Sequence, residues 1–414
     1  MTNHEIRMTN QIRCSNDQCS STPTSRALAR RSLVIGHWSF IRHSNFVIRH
    51  LILVIGLCVL TMASFTHGQE NAAPVPDIAR PFIKDRVDTA VDSAIAYLLR
   101  QQNAEGWIND HGRRNENAMT ALAIMALTAV GHQATDPTPE GRALAKALAF
   151  MLREDRVDER GYFGHRDGSR MYGHGICALM LAELIGHGAD EQQDRLIRER
   201  CQKAIDLILR SQQVHKEPRW TGGWRYSPDS QDSDLSVTVW QVMALRAAKN
   251  AGLDVPAAAI ADSIAYLERS YYSEQRDARG KPLNRRSGFA YEPGGRAGFA
   301  TTAAGLLAMC VCGQYEAPEV LGAADWLLDT PPKWGEAWLL YGTYYYAQGM
   351  YQRGGEHATT ARRTVEELLL PRQNSEGWWE SSHDTERGAG RVYCTTMAVL
   401  SLSVKYHFLP IYQR

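Results

Sequence analysis

Twelve stretches of helical periodicity run along the chain, and they alternate between two kinds. The first kind carries an apolar stripe. Segment 86–101 places Val87, Val91, Ala94, Ile95, Leu98 and Leu99 at three- and four-residue spacing, with polar residues between them. The second kind is apolar on every side, as in 117–130, which reads NAMTALAIMALTAV. A striped helix shows one face to water, whereas a helix without a polar face must be enclosed. The alternation continues: 139–153 precedes 171–185, 192–213 precedes 235–249, 257–271 precedes 299–311, 317–328 precedes 336–349, and 358–370 precedes 392–406. Six outer–inner pairs at a period of roughly 55 residues predict a helical repeat architecture. No period-two alternation interrupts 82–414, so no strand is expected.

The loops inside the pairs rhyme. The first reads Gln102-Asn103-Ala104-Glu105-Gly106-Trp107 and the last Gln373-Asn374-Ser375-Glu376-Gly377-Trp378, while the third holds Gln212, Gln213 and Gly222-Gly223-Trp224. Gly161-Tyr162-Phe163, Gly288-Phe289 and Trp334-Gly335 are weaker versions. Glycine permits the reversal after a helix end, glutamine can satisfy orphan carbonyls there, and the aromatic ring can clamp the corner. An open stack of such pairs needs polar ends. The first and last pairs are as apolar as the middle ones, so the expected fold is all-α, an α6/α6 toroid: a ring of six helix hairpins.

This Gln-x-x-x-Gly-Trp signature resembles the QW repeats of squalene and terpene cyclases and of protein prenyltransferase β subunits, which are α/α toroids. The resemblance spans residues 82–410 and is closest to a prenyltransferase/squalene oxidase repeat protein lacking the catalytic motifs. The cyclase acid, Asp-x-Asp-Asp, has no counterpart: Asp229, Asp232 and Asp234 are spaced differently. The transferase zinc motif, Asp-x-Cys, occurs only at Asp17-Gln18-Cys19, ahead of the repeats. Cys310 and Cys312 sit two apart on a helix and point to different faces. Cys312-Gly313-Gln314-Tyr315 departs from the Cys-Gly-Glu-Gln of thioester toroids. No metal and no cofactor is expected.

Composition adds a compartment. Apolar content of 44%, charged content of 22% and a net charge of +1 fit a globular protein and give no footprint for nucleic acid. Residues 1–68 read as a leader with a signal peptide. Leu51 to Phe65 is its apolar core, preceded by Arg42, Arg49 and His50 and followed by small residues up to Gly68. Segment 69–81 is a linker and 82–414 the toroid domain. Export to the periplasm or medium is expected. The alternative is an anchor formed by 51–65, which would be the chain's one contact with a membrane. Five cysteines follow the leader (Cys177, Cys201, Cys310, Cys312, Cys394), an odd number in apolar runs, which predicts buried free thiols.

In a ring, all six outer-to-inner loops emerge at one end. That shared mouth is the expected site. Candidate catalytic residues there are Asp232, Asp234, Glu336 and His174. Candidate ligand-binding residues are Trp224, Tyr226, Tyr291, Arg296, Trp338, Trp378 and Tyr393. Each has a structural alternative: Asp234 as an N-cap, Glu336 as a first-turn helix acid, His174 as a hydrogen-bonded core residue, and the tryptophans as corner clamps. Three functions follow. One is binding of a ligand or partner at the mouth, the ligand being a hydrophobic or glycan small molecule. Another is a cyclase- or transferase-like enzyme on an isoprenoid or other hydrophobic substrate, with Asp232 or Asp234 as acid and Trp224, Trp240 or Tyr291 facing developing cations. The third is a carbohydrate-active enzyme with opposed carboxylates such as Asp232 and Glu336.

Overall fold

The computed structural model describes residues 84–112, 114–283 and 286–413, within the compact unit Phe82–Arg414. The leader, the linker and loop residues Arg113 and Arg285 lie outside the described residues.

The described residues form outer helices α1 (Arg86–Arg100), α3 (Pro139–Met151), α5 (Glu191–Gln212), α7 (Ala257–Ser270), α9 (Pro318–Asp329) and α11 (Gly355–Leu369). These alternate with inner helices α2 (Glu116–Ala129), α4 (Met171–Glu183), α6 (Leu235–Asn250), α8 (Phe299–Val311), α10 (Leu339–Arg353) and α13 (Arg391–Leu402), with a single turn, α12 (Asp384–Arg387), in the last loop. Among the described residues there is no strand, only isolated bridges at the loops. Each inner helix packs on the next, and α13 packs back on α2, so the ring closes as an α/α toroid. Outer helices bury one stripe, in α1 the row Val87, Val91, Ala94, Ile95 and Leu98, while α2 buries nearly every residue from Asn117 onward. No helix among the described residues is long and apolar enough to cross a membrane.

The rhyming loops share one local geometry. Gln102, Gln212 and Gln373 each donate from Nε2 to the carbonyl of their own loop glycine (Gly106, Gly222, Gly377; 2.9–3.1 Å). Each also donates to a carbonyl of the neighbouring outer helix (Ala143, Ala259, Ala90; 2.7–2.9 Å). One amide therefore fastens a corner to the next hairpin, and at Gln373 it fastens the last hairpin to the first. The glycines are required: Gly222 and Gly377 have φ of +89° and +97°, and a Cβ there would stand 2.1 Å from a carbonyl of the adjoining outer helix.

The residue two positions after each glycine, or its equivalent, plugs the corner. The backbone N–H groups of Ile108, Trp224, Phe289 and Trp379 donate to Thr120, Thr238, Thr302 and Thr395 of the following inner helix at 3.0–3.1 Å. The indoles of Trp224 and Trp379 also donate to Ile208 and Leu369 carbonyls. Inner-helix N-termini are capped by the next loop round the ring. Asn117 donates to Asp167, Met171 to the Tyr226 carbonyl, Leu235 to the Tyr291 carbonyl, Leu340 and Tyr341 to Glu386, and Arg391 to Asp110. This relay satisfies donors that helix starts leave open and ties each corner to its neighbour.

The end opposite the loops is sealed by the C-terminal segment. Ile411 donates to the buried Glu183, Gln352 donates to the Tyr412 carbonyl, and the Tyr412 and Tyr344 hydroxyls bond to each other.

Candidate functional site

Because every inner helix begins at the loop end, its first two turns line the same space. The lumen-facing positions recur at four-residue spacing: Ala118 and Leu122 on α2, Tyr172 and Ile176 on α4, Ser236 and Trp240 on α6, Tyr393 and Met397 on α13. Together with Met119, Ala300, Thr301, Trp338 and Tyr341 they enclose a cavity of about 650 Å³. The cavity is blind. Beneath Trp240 lies Tyr344, stacked at 5.8 Å and fully buried, and beneath that Tyr412. The lower wall is apolar and aromatic. The rim is polar, with His111, Arg114, Asn115, Tyr226, Tyr291 and Thr385.

The rim carries one carboxylate that the sequence did not single out. Glu386 is fully buried and lines the cavity, and both its oxygens accept backbone N–H groups, Tyr341 at 2.8 Å and Leu340 at 3.1 Å. Burial pushes its carboxyl up, and the two amides pull it back in part. Helix α10 needs this cap because Trp338 precedes it at φ +58° and offers no side-chain cap of its own.

Of the predicted ligand contacts, Tyr226, Tyr291, Trp338 and Tyr393 line the cavity, and Trp338 is half exposed at its lip. The others do not. Trp224 is buried behind the wall as a corner plug. Arg296 is exposed on its loop, outside the lining. Trp378 lies on the outer side of its corner with the Arg391 guanidinium 3.9 Å over its ring.

None of the four predicted catalytic side chains lines the cavity. His174 takes the position that threonine holds in four of the other corners. Its Nδ1 accepts from the Phe163 N–H at 3.3 Å, so its Nε2 donates to the Ala204 carbonyl at 3.0 Å. Complete burial lowers its pKa to about 4. Asp234 is the N-cap of α6, accepting from Val237 at 2.9 Å and from the Ser236 hydroxyl at 2.6 Å. Burial raises its carboxyl above the usual range. Asp232 is half exposed and pairs with Arg225 at 3.0 Å. That guanidinium also meets Glu292 at 2.6 Å and Asp234 at 3.5 Å, so this acidic cluster is an ion network joining the third and fourth loops. Glu336 is exposed on the fifth loop. Tyr344, Tyr345 and Tyr346 are all buried beneath or outside the lumen.

Among the described residues no group of three or more His, Cys, Asp or Glu is placed to hold a metal ion. None of the cysteines after the leader is in a disulfide; four are buried and Cys312 is partly so.

Fold and site together define an α/α toroid with a blind lumen opening through its loops. No family model matches the sequence, and no curated protein is similar to it in sequence. Among solved structures the chain is similar to an α-1,6-mannanase from Salegentibacter sp., with a TM-score of 0.55 and 9% identity over 78% of this chain and 100% of that one. It also aligns with a type II terpene cyclase from Scytonema bound to its product merosterolic acid A, with a TM-score of 0.49 and 17% identity over 78% of this chain and 98% of that one. At such identities the mannanase match establishes the toroid fold and nothing about chemistry.

Proposed function

We propose that this chain binds an amphiphilic small molecule in the lumen, apolar body inward and polar end at the loop rim, and that it does so after export. The observation that carries the reading is the blind cavity of about 650 Å³ with an apolar, aromatic lower wall, a volume within the range of small-molecule sites. A ring filled by its own side chains would instead have favoured binding of a ligand or partner at the mouth alone.

The carbohydrate-active alternative needs two opposed carboxylates. Among the described residues lining the cavity, Glu386 is the single carboxylate, and its oxygens are occupied as a helix cap. The cyclase-like alternative placed its acid on Asp232 or Asp234, and both lie behind the wall on Arg225. Trp240, Tyr291 and Tyr341 do face the lumen, which suits an isoprenoid or other unsaturated body.

Native mass spectrometry of the purified protein tests the reading, comparing the wild type with Ala118→Trp. Ala118 faces the lumen, so an indole there projects into it and takes up part of its volume. The wild type is expected to carry or take up one small amphiphile, and the folded variant to lose it. Equal uptake by both would place the ligand elsewhere.

A further inference from the structure

Ser236, in the first turn of α6, gathers two tyrosines of the lumen wall. Its hydroxyl donates to Asp234 Oδ1 at 2.6 Å, and the Val237 N–H donates to the same oxygen at 2.9 Å. The single hydroxyl proton of Ser236 is thereby committed. At the Tyr172–Ser236 contact of 2.5 Å, Tyr172 is therefore the donor. Tyr341 donates its own proton to the Ser236 carbonyl at 3.2 Å. Both phenols line the cavity, and both have turned their protons into the wall. Any hydrogen bond either oxygen makes with a molecule in the lumen is therefore one it accepts. The arrangement has Asp234 as the acceptor, with the Arg225 guanidinium 3.5 Å from its other oxygen.

We infer that Tyr172 and Tyr341, oriented by Ser236, form an acceptor pair that receives the hydroxyl group of an alcohol. This rests on the reading of the lumen as an amphiphile site and names that ligand's polar group. A donor is required because an acceptor facing an apolar body would lose its hydrogen bond to water without replacement. A neutral donor fits better than an ammonium. The one carboxylate of the lining has its oxygens on backbone amides, and the arginine among the lining residues, Arg114, repels a second positive charge.

The test is tryptophan-fluorescence titration of the full chain with 1-decanol, decyl methyl ether and decylamine, since Trp240 and Trp338 lie in the cavity. The ether keeps the acceptor and lacks the donor, so it is expected to bind about tenfold more weakly than the alcohol, the effect of one hydrogen bond. In the double variant Tyr172→Phe/Tyr341→Phe the two are expected to bind alike. In Ser236→Ala the Tyr172 proton is released toward the lumen, so the ether gains relative to the alcohol; a merely structural role for Ser236 would weaken both equally. Equal binding of alcohol and ether by the wild type, tighter binding of decylamine, or a tenfold preference surviving in the double variant each overturns the hydroxyl assignment while leaving the amphiphile site standing. Binding of none of the probes removes both.

Discussion

Single residues in this ring do corner work that their chemistry does not announce. The loop signature drew attention to the tryptophan directly after the glycine, Trp107 and Trp378. The buried plug is the next residue, Ile108 or Trp379, and it is fully buried in both corners. Trp379→Phe removes the indole donor to the Leu369 carbonyl inside the core, whereas Trp378→Phe removes surface stacking. Urea denaturation is expected to show a loss of about 1–2 kcal/mol for the first and under about 0.5 kcal/mol for the second. His174 is the second case. Its pKa of about 4 in the fold lies below the ordinary 6.5, so the unfolded chain takes up the proton first. Its contribution to stability is whole above pH 6.5 and is lost as pH falls toward 4, on the order of 3 kcal/mol in all. The His174→Thr variant, carrying the residue used at four other corners, is expected to lose stability less steeply than the wild type between pH 6.5 and 4.5. Comparing the two cancels groups that titrate the other way, such as Glu183, whose carboxyl burial raises to about 8. Parallel pH profiles would contradict the assignment.

At the scale of elements, the inner helices depend on neighbours for their starts. Asn115 before α2 and Trp338 before α10 sit at φ near +60° with no side-chain cap, and the caps come from Asp167 and Glu386 in the following loop. Asp167→Ala is expected to cost about 1–2 kcal/mol and to speed hydrogen exchange at the Asn117 and Ala118 amides of the preceding hairpin; unchanged exchange there would remove the relay. The helix pairs themselves were plain in the sequence. Stripe against all-round apolarity is a local pattern, and 299–311 was bounded to the residue. Sealing of one end by residues 409–412 and capping across loops were not legible, because they join residues far apart in the chain. The site was half legible. Tyr226, Tyr291, Trp338 and Tyr393 face the lumen, as the shared mouth implied. Ser236, Tyr341 and Glu386 were missed, although four-residue spacing from each inner-helix start would have pointed to Ser236 and Trp240. The acidic run at 229–234 drew the eye by composition, and Arg225 turns it into structure.

For the whole molecule, closure sets the geometry of the site. Gln373 reaching Ala90 and Lys405 reaching Asp85 and Asp88 join the last hairpin to the first. The ring then has one inside, and the C-terminal segment closes it from below. The account therefore stands or falls on the lumen being an open, ligand-sized space with an apolar floor and its entrance at the loops. Anomalous diffraction from a crystal soaked in 1-bromodecane measures that directly. A bromine peak between Met119, Ile176, Trp240 and Met397 is the predicted result. Those four side chains packed against one another, with no peak among them, would contradict it.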